Sequence, residues 1–239
     1  MIQLPKIIGH RGAAAYAPEN TLAAIHTAAD MGCSWVELDV KLTKDSIPVI
    51  FHDESLQRIT GADIKMIDIT YKELQDLEAG DWFGESFSGE PIPTLEEALD
   101  AIIERDLGFN CEIKPCPSRE VETTEAALDM LATYWDDHNR LLLSSFQIQS
   151  LEVAKDMAPE WARGYLLDKD IPDNWIDIAK HIEPSTINVN GNEVTEEQIE
   201  DLKTYNKPLL AYTINEEDRA EWLFDRGIKA IFSDMPDLI

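Results

Sequence analysis

Glu37 and Asp39, two residues apart in the run WVELDVKL, are costly neighbours away from bulk water unless a cation lies between them. Apolar Val36, Leu38, Val40 and Leu42 alternate with Glu37, Asp39 and Lys41, so both acids project from one side of a strand. The pattern recurs in NCEIK, where Glu112 and Lys114 share one face and Cys111 and Ile113 the other. Either segment alone also reads as a half-exposed strand with a polar face. Together, Glu37, Asp39 and Glu112 on neighbouring strands make an oxygen-rich site suited to one hard divalent cation, Mg2+ or Ca2+. Lys114 beside them is a candidate partner for a phosphate.

Two histidines belong near these acids. His10 ends a short β-rich run in Gly9-His10-Arg11-Gly12, whose flanking glycines allow a sharp exit and close backbone approach. His52 closes a second run that only residues 43–47 separate from WVELDVKL, too few for a parallel crossover, so the two runs form an antiparallel hairpin. A turn centred between Asp45 and Ser46 makes opposed residue numbers sum to 91 and sets His52 across from Asp39. Paired imidazoles, with pKa values near neutrality, suit general acid and base work across a phosphoester. His26 inside a helix, His138 in WDDHNR and His181 at a helix C-terminus read as incidental.

The elements that must position these groups follow from periodicity. Strand-like runs fall at residues 6–10, 35–42, 48–52, 110–114, 141–146, 163–167, 186–189, 209–213 and 230–234. Helical stretches at 21–31, 94–105, 120–134, 148–157, 175–181, 196–205 and 217–225 fill most gaps. Asn20 and Thr94 are N-cap types, and Thr94 with Glu97 and Thr195 with Gln198 have capping-box spacing. Setting aside the returning arm of the hairpin leaves eight strands alternating with helices, which predicts an α/β fold of the (β/α)8 TIM barrel type. Residues 54–91 are too long for an ordinary strand-to-helix loop, and predict a small inserted subdomain over the barrel mouth within a single domain, 1–239.

With 239 residues, 44% of them hydrophobic, the chain is large and apolar enough for one sizeable core. Its 20 Lys and Arg against 47 Asp and Glu leave a net charge of −27, which argues against nucleic acid and against stable association with an anionic membrane. Cys33, Cys111 and Cys116 are odd in number and lack metal-ligand spacing, so reduced thiols are expected. The N-terminal MIQLPKIIGHRG has no signal-like apolar region and no run is long enough to span a bilayer, so a cytoplasmic location is expected.

The runs HRGAAAYAPENTLAAI (10–25), VELDVKLTKDSIPVIFHDESLQRIT (36–60), PTLEEAL (93–99), EIK (112–114), AYTIN and GIKAIFSDMP resemble the glycerophosphodiester phosphodiesterase family, in order along essentially the whole chain. The resemblance implies Glu37, Asp39 and Glu112 as metal ligands, His10 and His52 as the acid–base pair, and Arg11 and Lys114 as phosphate-binding cations. It also implies a (β/α)8 barrel with a small insertion after the His-Asp motif. The implied reaction is metal-dependent hydrolysis of a small-molecule glycerophosphodiester, such as glycerophosphocholine or glycerophosphoethanolamine, to sn-glycerol 3-phosphate and an alcohol. Where the family commonly has Thr-Asp-x-Pro, this chain has Ser233-Asp234-Met235-Pro236, keeping the hydroxyl and the acid. Glu19 and Asn20 have two readings, support of the site through hydrogen bonds or capping of the following helix, with capping favoured, and Ser145, Phe146 and Tyr212 are expected to reach the glycerol or headgroup. One rival is a barrel phospholipase of the sphingomyelinase D or phospholipase C type, opposed by the acidic charge and the missing export signal. A second is a non-catalytic binding module, which has no use for a proton donor and acceptor beside a metal.

Overall fold

Strands buried along their whole length need cover on both faces, and the amphipathic helices between them supply one of those covers. The computed structural model describes residues 2–238. In chain order it contains β1 (Ile7–Gly9), α1 (Leu22–Asp30), β2 (Trp35–Leu42), β3 (Pro48–Ile50), α2 (Gln57–Thr60), α3 (Tyr71–Leu74), α4 (Leu95–Glu104) and β4 (Gly108–Ile113). There follow α5 (Glu120–Tyr134), β5 (Leu141–Ser145), α6 (Ile148–Met157), β6 (Ala162–Leu167), α7 (Trp175–Ile182), β7 (Thr186–Asn190), α8 (Glu196–Lys203), β8 (Leu209–Tyr212), α9 (Glu217–Asp225) and β9 (Ala230–Ser233). The strand order β1-β9-β8-β7-β6-β5-β4-β2 is parallel throughout, and Gly9 pairs with Val36 to close it into the expected (β/α)8 barrel. β3 pairs antiparallel with β2 as the hairpin's returning arm.

The outward residues of β2, Val36, Leu38 and Val40, pack with Ile25, Leu99 and Leu128 of the surrounding helices. Inside the barrel, Ile8, Trp35, Leu142, Leu210 and Phe232 form an apolar floor. Gly108 makes room for it, since a Cβ there would lie 2.2 Å from the Trp35 indole. Each such fully buried large side chain contributes about 1.5–3 kcal/mol, and this packing offsets the cost of the polar layer above. That layer begins with Asn110, Ser144 and Asn188 and ends, at the C-terminal rim, with Asp39 and Glu112.

Three details depart from expectation. The hairpin pairs Val40 with Ile50, Lys41 with Val49 and Leu42 with Pro48, so opposed numbers sum to 90, not 91. Ser46 takes a left-handed φ of 63° and its N–H donates to the Thr43 carbonyl at 3.0 Å, a three-residue loop that shifts the pairing by one residue. Asp39 therefore lies opposite Phe51, whose N–H donates to its carbonyl, and His52 reaches the rim because β3 has already ended at Ile50. The third departure is at α1, whose N-cap is Thr21, accepting from the Ala24 N–H, and not Asn20. Thr94 with Glu97 and Thr195 with Gln198 form the capping boxes expected of them.

Residues 54–91 carry α2, α3 and 3₁₀ turns at Met66–Asp68 and Glu85–Phe87. Leu56, Ile59, Met66, Ile69 and Leu74 pack there with Val49 and Phe51 in a small apolar cluster of their own. Among the described residues, no helix is long and apolar enough to cross a membrane.

Candidate active site

In-register pairing of β2 and β4 sets Asp39 beside Glu112 and Glu37 beside Asn110. One oxygen from each of Glu37, Asp39 and Glu112 lies within 4.8 Å of the others, and all three side chains are buried. Two cations brace the cluster. Lys114 Nζ is 2.7 Å from Glu112 and 3.6 Å from Asp39, while Arg11 Nε is 3.4 Å from Asp39 and the Arg11 backbone N–H donates to Glu37 at 2.9 Å.

Two positive side chains do not balance three acids evenly. Burial, with Asp39 and Glu112 as like charges, pushes Glu37 well above the usual carboxylate range. Burial also raises Glu112, against the pull of Lys114. At Asp39 burial works against the charge, but Arg11, Lys114 and His52 outweigh it and hold the acid below its ordinary value. Glu37 Oε1 is buried with no hydrogen-bond partner among the described residues. An all-oxygen donor set with an orphaned buried carboxylate oxygen fits a hard divalent cation, which would offset the crowded negative charge and satisfy the free oxygen.

His10 and His52 are each backed by a carboxylate. His10 Nδ1 lies 2.7 Å from Asp234 Oδ1, and Asn215 steadies that acid by donating to Oδ2 at 2.6 Å and accepting from the Asp234 N–H at 2.9 Å. His52 Nδ1 lies 2.6 Å from Asp53 Oδ1. An ionised carboxylate accepts, so each ring carries its proton on Nδ1 and presents Nε2. His10 Nε2 sits 3.9 Å from Glu37 and 3.4 Å from the Thr213 hydroxyl.

All seven expected residues, His10, Arg11, Glu37, Asp39, His52, Glu112 and Lys114, line one cavity of about 360 Å³ at the C-terminal mouth of the barrel. Its other wall holds Phe146 and Tyr212, edge to face at 5.6 Å, with Asn190, Asn192 and Thr213. Ser144, in register with Glu112, lines the cavity in place of the expected Ser145, whose hydroxyl donates to the Ile113 carbonyl. Of the two readings of Glu19 and Asn20, the favoured capping role does not hold and hydrogen bonding to the site does. The Asn20 amide donates to Asp39 at 2.8 Å and accepts from its N–H, from a left-handed φ of 59° that asparagine tolerates. Glu19 accepts from Arg11 at 2.7 Å.

Asp53 and Asp234, the partners of the histidines, were not singled out by residue type and spacing. Their signal was their place in the His-Asp and Ser-Asp-Met-Pro runs, but nothing local says which ring nitrogen a carboxylate will meet. His26, His138 and His181 are absent from the cavity wall. His138 packs against Trp161 and His181 pairs with Glu152 at the surface.

Residues 10–238 match the sequence profile of the glycerophosphoryl diester phosphodiesterase family. The chain is 33% identical over 233 residues to a glycerophosphodiester phosphodiesterase of Caldanaerobacter subterraneus, covering 98% of this chain and 95% of that one. Among solved structures, a phosphodiesterase of Oleispira antarctica in complex with the product sn-glycerol-3-phosphate aligns with a TM-score of 0.93 and 41% identity, over 98% of this chain and 94% of that one. The glycerophosphodiester phosphodiesterase of Thermotoga maritima aligns at 0.78 and 27%, over 100% and 98%. With this coverage by profile, sequence and fold, the chain belongs to the glycerophosphoryl diester phosphodiesterase family, a family of phosphoric diester hydrolases.

Proposed function

We propose that this chain hydrolyses glycerophosphodiesters, such as glycerophosphocholine and glycerophosphoethanolamine, to sn-glycerol 3-phosphate and an alcohol, acting as one catalytic unit over its length. The observation that carries the reading is two carboxylate-backed imidazoles on one cavity with a buried three-acid cluster. Glu37, Asp39 and Glu112 would hold one Mg2+ or Ca2+, which supplies Lewis-acid polarisation of the phosphoryl oxygens when bound.

Arg11 and Lys114 offset the remaining charge on the phosphoryl group as its bond to the headgroup oxygen breaks. Burial holds His52 below the ordinary imidazole value, so its Nε2 is a free base at neutral pH and takes the proton of the attacking oxygen. His10 enters the step with a second proton on Nε2 and gives it to the departing alkoxide, while Asp234 holds the Nδ1 proton in place; exchange with solvent then removes the proton gained by His52 and restores that of His10. Phe146 and Tyr212 give the cavity an apolar wall. Asn190, Asn192 and Thr213 offer the amides and hydroxyl that a glycerol moiety needs.

Chelator-treated protein is expected to release sn-glycerol 3-phosphate from both substrates only when Mg2+ or Ca2+ is restored. Cleavage of intact lipids with neither substrate turned over would show that the substrate is wrong. Inertness towards all of them would favour a binding module.

The base assigned to His52 must be neutral to work, so kcat/KM should fall as pH drops through its pKa. Because burial lowers that pKa, the acidic limb of the profile is expected below about 6.5, the ordinary histidine value. A limb above that value in a pH series would remove His52 from the role of base.

A further inference from the structure

We propose that Arg58, carried on α2 in the 54–91 segment, is a positioning residue that ties together the carboxylate behind His52 and the carboxylate behind Arg11. The inference rests on the roles proposed above for His52 and Arg11. Arg58 forks onto two acids at once. Its Nε donates to Asp53 Oδ2 at 2.7 Å and its Nη2 to Asp53 Oδ1 at 3.1 Å. Nη2 also reaches Glu19 Oε1 at 2.7 Å, and Nη1 reaches Glu19 Oε2 at 2.8 Å.

Both acids also engage the site, through oxygens that Arg58 Nη2 shares. Asp53 Oδ1 meets His52 Nδ1 at 2.6 Å, and Glu19 Oε1 accepts from Arg11 Nη1 at 2.7 Å. One planar guanidinium thus closes a chain from His52 through Asp53, Arg58 and Glu19 to Arg11. A lysine has the charge but not the rigid fork that holds two carboxylates in fixed directions. Without any cation there, Asp53 and Glu19 would be adjacent like charges, and each would swing away from the group it orients.

The position of Arg58 is itself fixed by packing. Its neighbours Leu56 and Ile59 are buried in the small apolar cluster of residues 54–91, and the Trp82 ring lies 6.0 Å from its Cζ. The segment is therefore wired to the site through one side chain. Arg58 also keeps Asp53 an ionised acceptor. Burial opposes that charge, but hydrogen bonds from Arg58 and His52 pull the acid down to about 2.

A positioning role and a merely structural one make different demands. Arg58 is 44% exposed but its partners Glu19 and Asp53 are 11% and 24% exposed, so its loss should cost some stability through their repulsion and far more in turnover. With Mg2+ and glycerophosphocholine, Arg58→Gln is expected to lower kcat about 10- to 100-fold, the range for groups that orient a functional side chain, with a melting temperature lowered by no more than about 2–4 °C. In an Asp53→Asn, Glu19→Gln background, Arg58→Gln should cost less than about 3-fold, because its two targets are gone. Nitrogen-15 NMR of the histidine rings adds a readout independent of turnover: His52 should lose its fixed Nδ1–H tautomer in Arg58→Gln. Arg58→Lys serves the same comparisons should the glutamine variant fold poorly, and is expected to stay well below the parent. An equal loss in both backgrounds, a kcat within 2-fold of the parent, or unchanged His52 resonances would each overturn the proposal. A parent inert towards glycerophosphocholine would count against the proposed reaction, while the NMR comparison would still test the wiring.

Discussion

Alanine at His52 is expected to lower kcat for glycerophosphocholine by about 10³-fold while leaving the stabilisation by added metal intact. Among the described residues, the imidazole has no hydrogen bond to Glu37 or Glu112, and its side-chain hydrogen bond is to Asp53. Its loss removes the proposed proton acceptor and leaves the three-acid cluster in place. His10→Ala should cost a comparable factor, since it removes the proposed proton donor to the departing alkoxide. Combining the two is expected to cost far less than the product of the single effects, because two groups that pass protons across one bond act as a unit. Steady-state kinetics together with thermal melts with and without Mg2+ test this directly. A loss under about 10-fold from either single variant would remove the acid–base assignment.

Neutralising the acid cluster should separate stability from function in the opposite sense. Glu37→Gln is expected to weaken metal binding more than about 100-fold, beyond the range for residues that only orient a ligand, and turnover at limiting metal should fall with it. The chelated variant should nonetheless melt higher than the chelated parent. Glu37 is buried with two like charges beside it and one oxygen unpartnered, so the parent must either bury an excess charge or hold a proton there. Glutamine keeps the shape and removes the repulsion. For a chain of this size each kcal/mol gained corresponds to about 2–4 °C in melting temperature. Added Mg2+ or Ca2+ should then stabilise the parent and not the variant. Calorimetric titration of metal and melts of both proteins in chelator decide the matter; a variant that melts lower than the parent in chelator would mean that the cluster is not strained without its cation.

Much of the barrel was legible because burial imposes period two on strands and period 3.6 on helices, and both survive in one dimension. The bounds of β2, Trp35–Leu42, α5, Glu120–Tyr134, α6, Ile148–Met157, and α9, Glu217–Asp225, agree with the residues expected from patterning. Glu37, Asp39 and Glu112 were legible for the same reason, since alternation puts acids between apolar neighbours on one face and a closed barrel turns that face inward. The register of the hairpin was not. A left-handed Ser46 shifts pairing by one, and serine is not a residue whose type announces that conformation. His52 joins Asp39 across the cavity by leaving the sheet, a path set by Phe51 packing under the 54–91 segment.

Local chemistry also misassigned Asn20. A polar residue just before a helix reads as a cap, yet Thr21 takes that position and frees the Asn20 amide for Asp39. The choice depends on an acid 19 residues away that only the closed barrel brings near. Residue types and their spacing by themselves determined the fold class, the three inward acids and the two histidines, because each follows from short-range periodicity or from a motif. Tertiary structure alone decided which carboxylate orients which imidazole, with Asp234 lying 224 residues from His10 along the chain, and that Arg58 joins Asp53 to Glu19. Hydrogen bonds of a few ångströms between distant segments are fixed by how strands close and helices pack, and no local pattern carries that information.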